Sequence, residues 1–155
     1  MEIQLGDVGH IIQLAIAPVF LLTGVGTNLS VLTNRLARII DRSRVLEDRM
    51  HRDGEIDPID RDEIYVLYRR GHLINRAITL STACGLLVCL VIATLFIGDA
   101  LGLGFGKMIA ALFVLAMLSL IASFFFFMRE IFIATRTLTT RSILAPPSRR
   151  LVDTR

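Results

Sequence analysis

Six polar side chains recur at helical spacing in the first third of the chain. Thr23, Thr27, Ser30, Asn34, Arg38 and Asp41 follow one another at steps of three and four, which aligns them as one stripe on a helix. Hydroxyls, an amide and a guanidinium in a row can line an aqueous path. Around a symmetry axis each position becomes a ring, and such rings select ions by charge and by the cost of dehydration. On that reading Arg38 forms a cationic ring at the inner mouth, Asp41 offsets it one turn deeper, and Pro18 and Gly24 supply a hinge. The competing reading is packing, with the stripe's hydroxyls set against Ser81 and Thr82.

Other chemistry is scarce. Gln13 and Asn28 lie in the same stretch, and each would cost several kcal/mol facing lipid unpaired, so both should face protein or water. His10, His51 and His72 are scattered, and no grouping of Ser, His and Asp or of metal-ligand residues can be assembled. Cys84 and Cys89 stand five apart inside an apolar run, on different faces of a helix, and read as small packing residues. The glycines from Gly98 to Gly106 lack the spacing of a phosphate-binding loop. No catalytic, cofactor or metal site is expected. Neither an enzyme nor a proton-coupled transporter is expected, because no Asp, Glu, His, Lys or Arg falls within the apolar runs.

Three such runs position these residues: Ile11–Asn34, Ala77–Gly98 and Met108–Met128. About 20 residues of helix cross a hydrocarbon core of about 30 Å. With 54% hydrophobic residues in 155 and a mean hydropathy of +0.64, the chain reads as an all-α membrane protein, one domain over 1–155. The first run is no cleavable signal: Glu2 and Asp7 precede it without Lys or Arg, and it is too long. Of 17 basic residues, ten lie in 35–76, six in 129–155, and only Lys107 between the second and third runs. That asymmetry places the amino terminus outside and the carboxyl terminus inside. The pI of about 9.4 then reflects orientation and attraction to anionic membrane lipid, not nucleic acid.

Between the first two spans, Leu32, Leu36, Ile39, Ser43, Leu46 and Met50 form one seam, and Ile64, Leu67, Gly71, Ile74 and Ile78 another. With a break at 52–58, the two should zip into a cytoplasmic antiparallel helical hairpin over 35–76. Leu22, Val25 and Leu29 extend the first seam into the membrane. In the second span Ala77, Ser81, Gly85, Cys89 and Ala93 are small residues at four-residue intervals, a stripe that lets another helix approach closely. Ser119 and Ser123 form a small pair in the third span. Glu130, beyond its inner end, sits at the depth of Arg35 and Arg76 and should pair with one of them. The tail, 129–155, turns irregular at Ala145-Pro-Pro-Ser148, where Arg149 and Arg150 suit a lipid surface.

The segments from Ile12 to Gly24 (IQLAIAPVFLLTG) and from Val31 to Arg42 (VLTNRLARIIDR) are similar to the bacterial integral-membrane family known as domain of unknown function 2721. The resemblance covers roughly Ile3 to Thr140. It implies a multi-pass protein of the bacterial inner membrane with three spans, and it brings no catalytic residues. Two functions fit the residues. One is a homo-oligomeric channel for small ions, lined by the polar face of the first helix. The other is a non-conducting scaffold or regulatory subunit that docks a partner through the hairpin.

Overall fold

A computed structural model describes the backbone of residues 5–53 and 58–144, and the side chains of Gly9, 12–52 and 61–135. Among these residues the fold is all-helical: α1 spans Leu5–Asp53, α2 spans Pro58–Ala100 and α3 spans Gly106–Leu144. Each helix contains a stretch long and apolar enough to cross a membrane. Residues 1–4, the break at 54–57 and the tail from Ala145 with Arg149 and Arg150 lie outside the described residues.

The helices greatly exceed the bilayer. At 1.5 Å per residue, the 49 residues of α1 reach about 70 Å, more than twice a hydrocarbon core of about 30 Å. No Gly or Pro interrupts α1 between Asn28 and Asp53, so the helix runs on from its apolar half into its charged half. It also continues through Pro18, which removes one backbone donor without ending it. α2 begins on Pro58, a position whose missing N–H would have had no helical partner anyway.

α1 and α2 are antiparallel, since Val25 approaches Gly85, Asn28 meets Ser81, Ile39 approaches Gly71 and Arg42 meets Glu63. α3 packs chiefly on α2, again antiparallel, with Ser119 at Leu80, Ser123 at Ala77 and Glu130 at Arg70. The apolar seams are where the spacing places them. Leu32, Ile39, Leu46, Leu67, Ile74 and Ala77 form one buried cluster, flanked by Leu36, Ile64 and Ile78. A second cluster, toward the other end, joins Val25, Cys84, Val88 and Ala116.

The turn between α2 and α3 has a specific cause. Gly102 adopts a left-handed φ of +64°, which lets its own N–H reach Asp99 O (3.0 Å) and the Leu103 N–H reach Gly98 O (2.8 Å). These two bonds satisfy carbonyls that the end of α2 would otherwise leave open. A Cβ on Gly98 would come within 3.2 Å of the Phe105 ring, so the close return of the chain also depends on that glycine.

Candidate functional site

Where the three helices meet, every buried polar group has a partner. Asn28 is buried and its Nδ2 donates to Ser81 Oγ at 3.2 Å, linking α1 to α2. Ser119 Oγ donates to Leu80 O and Ser123 Oγ to Ala77 O, both at 2.8 Å, linking α3 to α2. Those carbonyls already serve their own helix, and each offers its second lone pair. Among the described residues no buried side-chain polar atom lacks a partner.

The strongest of these joins is ionic. Glu130 is fully buried, and its two carboxylate oxygens are divided between two helices. Oε2 accepts from Arg35 Nη1 of α1 at 2.5 Å, and Oε1 accepts from Arg70 Nε and Nη2 of α2 at 3.0 and 2.8 Å. The Arg35 guanidinium also lies over the Phe127 ring, 5.1 Å from its centroid. One carboxylate thus clamps α1, α2 and α3 at a single level. Arg35 is one of the two partners expected for Glu130, but Arg76 is not the other. Arg76 is exposed, and Arg70 takes its place. Six residues on a helix amount to about 240° of rotation, so the two arginines point away from each other.

The six residues of the polar stripe are brought to one face, and it faces outward. Thr23, Thr27, Ser30, Asn34, Arg38 and Asp41 are all exposed, while Val25, Leu32 and Ile39 on the opposite side of α1 are buried. The stripe does not pack on α2, so its hydroxyls do not meet Ser81 or Thr82; that contact belongs to Asn28. Thr27 Oγ1 donates to Thr23 O at 3.0 Å, within the helix. Thr33, beside the stripe, likewise donates to Leu29 O at 2.8 Å. Arg38 and Asp41 form no ion pair with each other among the described residues. Arg38 opens instead onto a cleft of about 270 Å³ with Arg35, Arg42 and Arg70. In that cleft Arg35 and Arg70 share the single negative charge of Glu130, and Arg42 pairs with Glu63 at 3.0 Å.

Pro18 is buried, and Gly24 is open, with nothing within 4 Å of a Cβ built there; the same is true of Gly26. Gln13 is exposed near the amino-terminal end of α1. Of the small-residue stripe on α2, Ala77 and Ser81 are buried and Gly85 lies against Val25, whereas Cys89 and Ala93 are exposed. A strict four-residue step advances 400°, so each step drifts about 40° around the helix. After Gly85 the stripe has rotated off the contact, and Cys84, Val88 and Val91 replace it. On the charged half, Arg42 pairs with Glu63, and Tyr68 donates to Glu47 Oε1 at 3.1 Å. That hydrogen bond, then the negative charge of Glu47, holds the Tyr68 phenol above the ordinary tyrosine value.

A family described as protein of unknown function, DUF2721, matches residues 15–140. The chain belongs to this family. The matched region takes in the polar stripe, both seams, the small residues of α2 and Glu130. No curated protein and no solved structure matches the chain.

Proposed function

We propose that this multi-pass membrane protein assembles as a homo-oligomer in a bacterial inner membrane and conducts small ions along the outward face of α1. The observation that carries the reading is the exposure of the whole Thr23–Asp41 stripe, whose first four members stand on the apolar half of α1. Thr27 can face lipid cheaply because its hydroxyl is satisfied within the helix. Asn34 is exposed and makes no hydrogen bond among the described residues, so an unpaired amide stands at the inner end of the span. A ring of neighbouring copies would give it water. The open faces at Gly24 and Gly26 suit close approach by another helix, and closed cyclic symmetry suits subunits of fixed orientation.

In this arrangement the charged halves of α1 and α2 form a cytoplasmic hairpin, with the amino terminus outside. The Arg35–Glu130–Arg70 cluster then marks the inner membrane boundary, in keeping with the basic residues on that side. A cysteine at Arg52, in a chain whose Cys84 and Cys89 are alanine, should resist an impermeant thiol reagent applied to intact cells. Ready labelling would reverse the orientation.

Purified protein in liposomes tests conduction. The expected result is ion flux, with selectivity altered by Arg38→Glu and flux reduced by Thr27→Leu while the oligomer seen by native mass spectrometry stays intact. A lone monomer in mild detergent would end the oligomer reading. A conducting protein indifferent to both substitutions would place the path elsewhere. An oligomer without flux would favour the scaffold, whose docking surface would be the charged hairpin with its exposed Ile40, Val45 and Tyr65.

A further inference from the structure

On the side of α2 away from the ionic clamp, a second basic cleft has no carboxylate among the described residues that line it. It measures about 610 Å³, with Tyr65, Arg69, His72 and Arg76 of α2 and Arg129 of α3 along its walls and Leu73 between them. None of its three arginines makes an ion pair among the described residues. The neighbouring carboxylates are engaged elsewhere: Glu130 turns to Arg35 and Arg70, and Glu47 to Tyr68, whose ring borders the same cleft. Three guanidiniums held around one concavity call for an anion with several acceptor oxygens, the geometry of phosphate.

The position of the cleft narrows the source of that phosphate. Arg76 immediately precedes the apolar run 77–98, and Arg129 immediately follows the run 108–128, so the cleft stands where hydrocarbon gives way to headgroups. Arg129 is also shared with a second groove, an apolar one formed by Phe125, Met128, Phe132 and Ile133 on α3. Phe125, Met128 and Phe132 are all largely exposed. A basic cleft and an apolar groove that meet at one arginine match a molecule with a phosphate at one end and an acyl chain at the other. Free phosphate would use only the first.

We propose that the cleft between α2 and α3 at Arg69, Arg76 and Arg129 binds the phosphate of an anionic glycerophospholipid, whose acyl chain lies along Phe125, Met128 and Phe132. The site is separate from the outward face of α1 and does not depend on conduction. Basic pockets between membrane helices are a recurrent setting for anionic headgroups, and each arginine near the surface contributes roughly a fivefold gain in affinity.

Native mass spectrometry of the full chain, released from detergent with defined lipid, reads the site directly. Wild-type protein should retain phosphatidylglycerol in preference to phosphatidylcholine. Arg76→Gln with Arg129→Gln should lower that retention roughly twentyfold. Arg44→Gln with Arg49→Gln, equally exposed but on the water-borne half of α1, should leave it unchanged. Arg69→Gln alone should take part of the effect, and it serves if the double variant does not fold. Equal retention of the two lipids, or no loss in either cleft variant, would overturn the proposal. Displacement of the lipid by excess inorganic phosphate alone would also overturn it, because the site would then serve a soluble anion.

Discussion

The two halves of the α1–α2 pair are packed by opposite rules. In the charged half the contact is apolar and the surface is ionic: Leu46 and Leu67 are buried, while Arg42, Glu63, Glu47 and Tyr68 meet at the edge. In the apolar half polar groups face inward, as Asn28 and Ser81 do, and the outer surface carries Phe20, Leu86 and Leu90. Water drives the first arrangement, because burial of Leu and Ile removes apolar area from it. Lipid supplies no such drive, so the second relies on close contact and on hydrogen bonds between helices. The difference makes the outward stripe on α1 informative. In the charged half a row of exposed polar residues is ordinary; in the apolar half Gln13, Thr79 and Thr82 are exposed too, and what sets Thr23, Thr27, Ser30 and Asn34 apart is that they form a continuous row.

The comparison can be broken hardest where the halves meet. Glu130→Ala would leave Arg35 and Arg70, 33% and 24% exposed, facing each other without their counter-charge, and the cost has as its upper bound the about 3–5 kcal/mol of stranding a buried charge. Thermal unfolding in detergent should show that variant as less stable than a single truncation in either apolar cluster or at any interhelical hydrogen bond. Conductance measured on a folded Glu130→Ala protein should separate its structural role from that of the stripe.

A smaller effect sharpens the contrast between the two solvents. Leu46→Ala, in the water-borne seam, should cost about 2 kcal/mol or more from lost burial and the remaining cavity. Ser81→Ala, which removes the acceptor of Asn28, should cost only about 0.6 kcal/mol, the usual worth of a hydrogen bond between membrane helices. Equal losses, measured by denaturation in the same detergent, would show that one packing rule governs both halves.

Much of this arrangement can be read from spacing alone. The buried faces of α1 and α2 follow from steps of three and four, since that periodicity places Val25, Leu32, Ile39 and Leu46 in line whatever the surrounding medium. Ser119 and Ser123 stand out for the same reason, as small polar residues one turn apart in an apolar helix. What spacing does not carry is register and rotation. Arg76 borders the second apolar run as closely as Glu130 follows the third, so depth counted from the run ends favours Arg76. In the antiparallel register Ser123 meets Ala77, and seven residues farther along each helix Glu130 meets Arg70, which leaves Arg76 about 9 Å along α2 from it. The small-residue stripe leaves the contact at its far end through the same rotation. The cleft around Arg129 is invisible to spacing because its walls come from two helices, and no pattern within one of them announces it.

The position of Glu130 also bears on how the protein is made. Arg35 and Arg70 precede it by 95 and 60 residues, so both are synthesised long before their shared counter-charge exists. Until α3 has been made as far as Glu130, the first two helices carry Arg35 and Arg70 without their shared counter-charge. The clamp therefore closes last, and its closure distinguishes a finished chain from a shortened one. A ribosome that stops in the turn after α2 would leave two helices in the bilayer whose Arg35 and Arg70 lack their counter-charge. Such a product should be open to the proteases that clear incomplete membrane proteins, whereas the finished chain is latched against them.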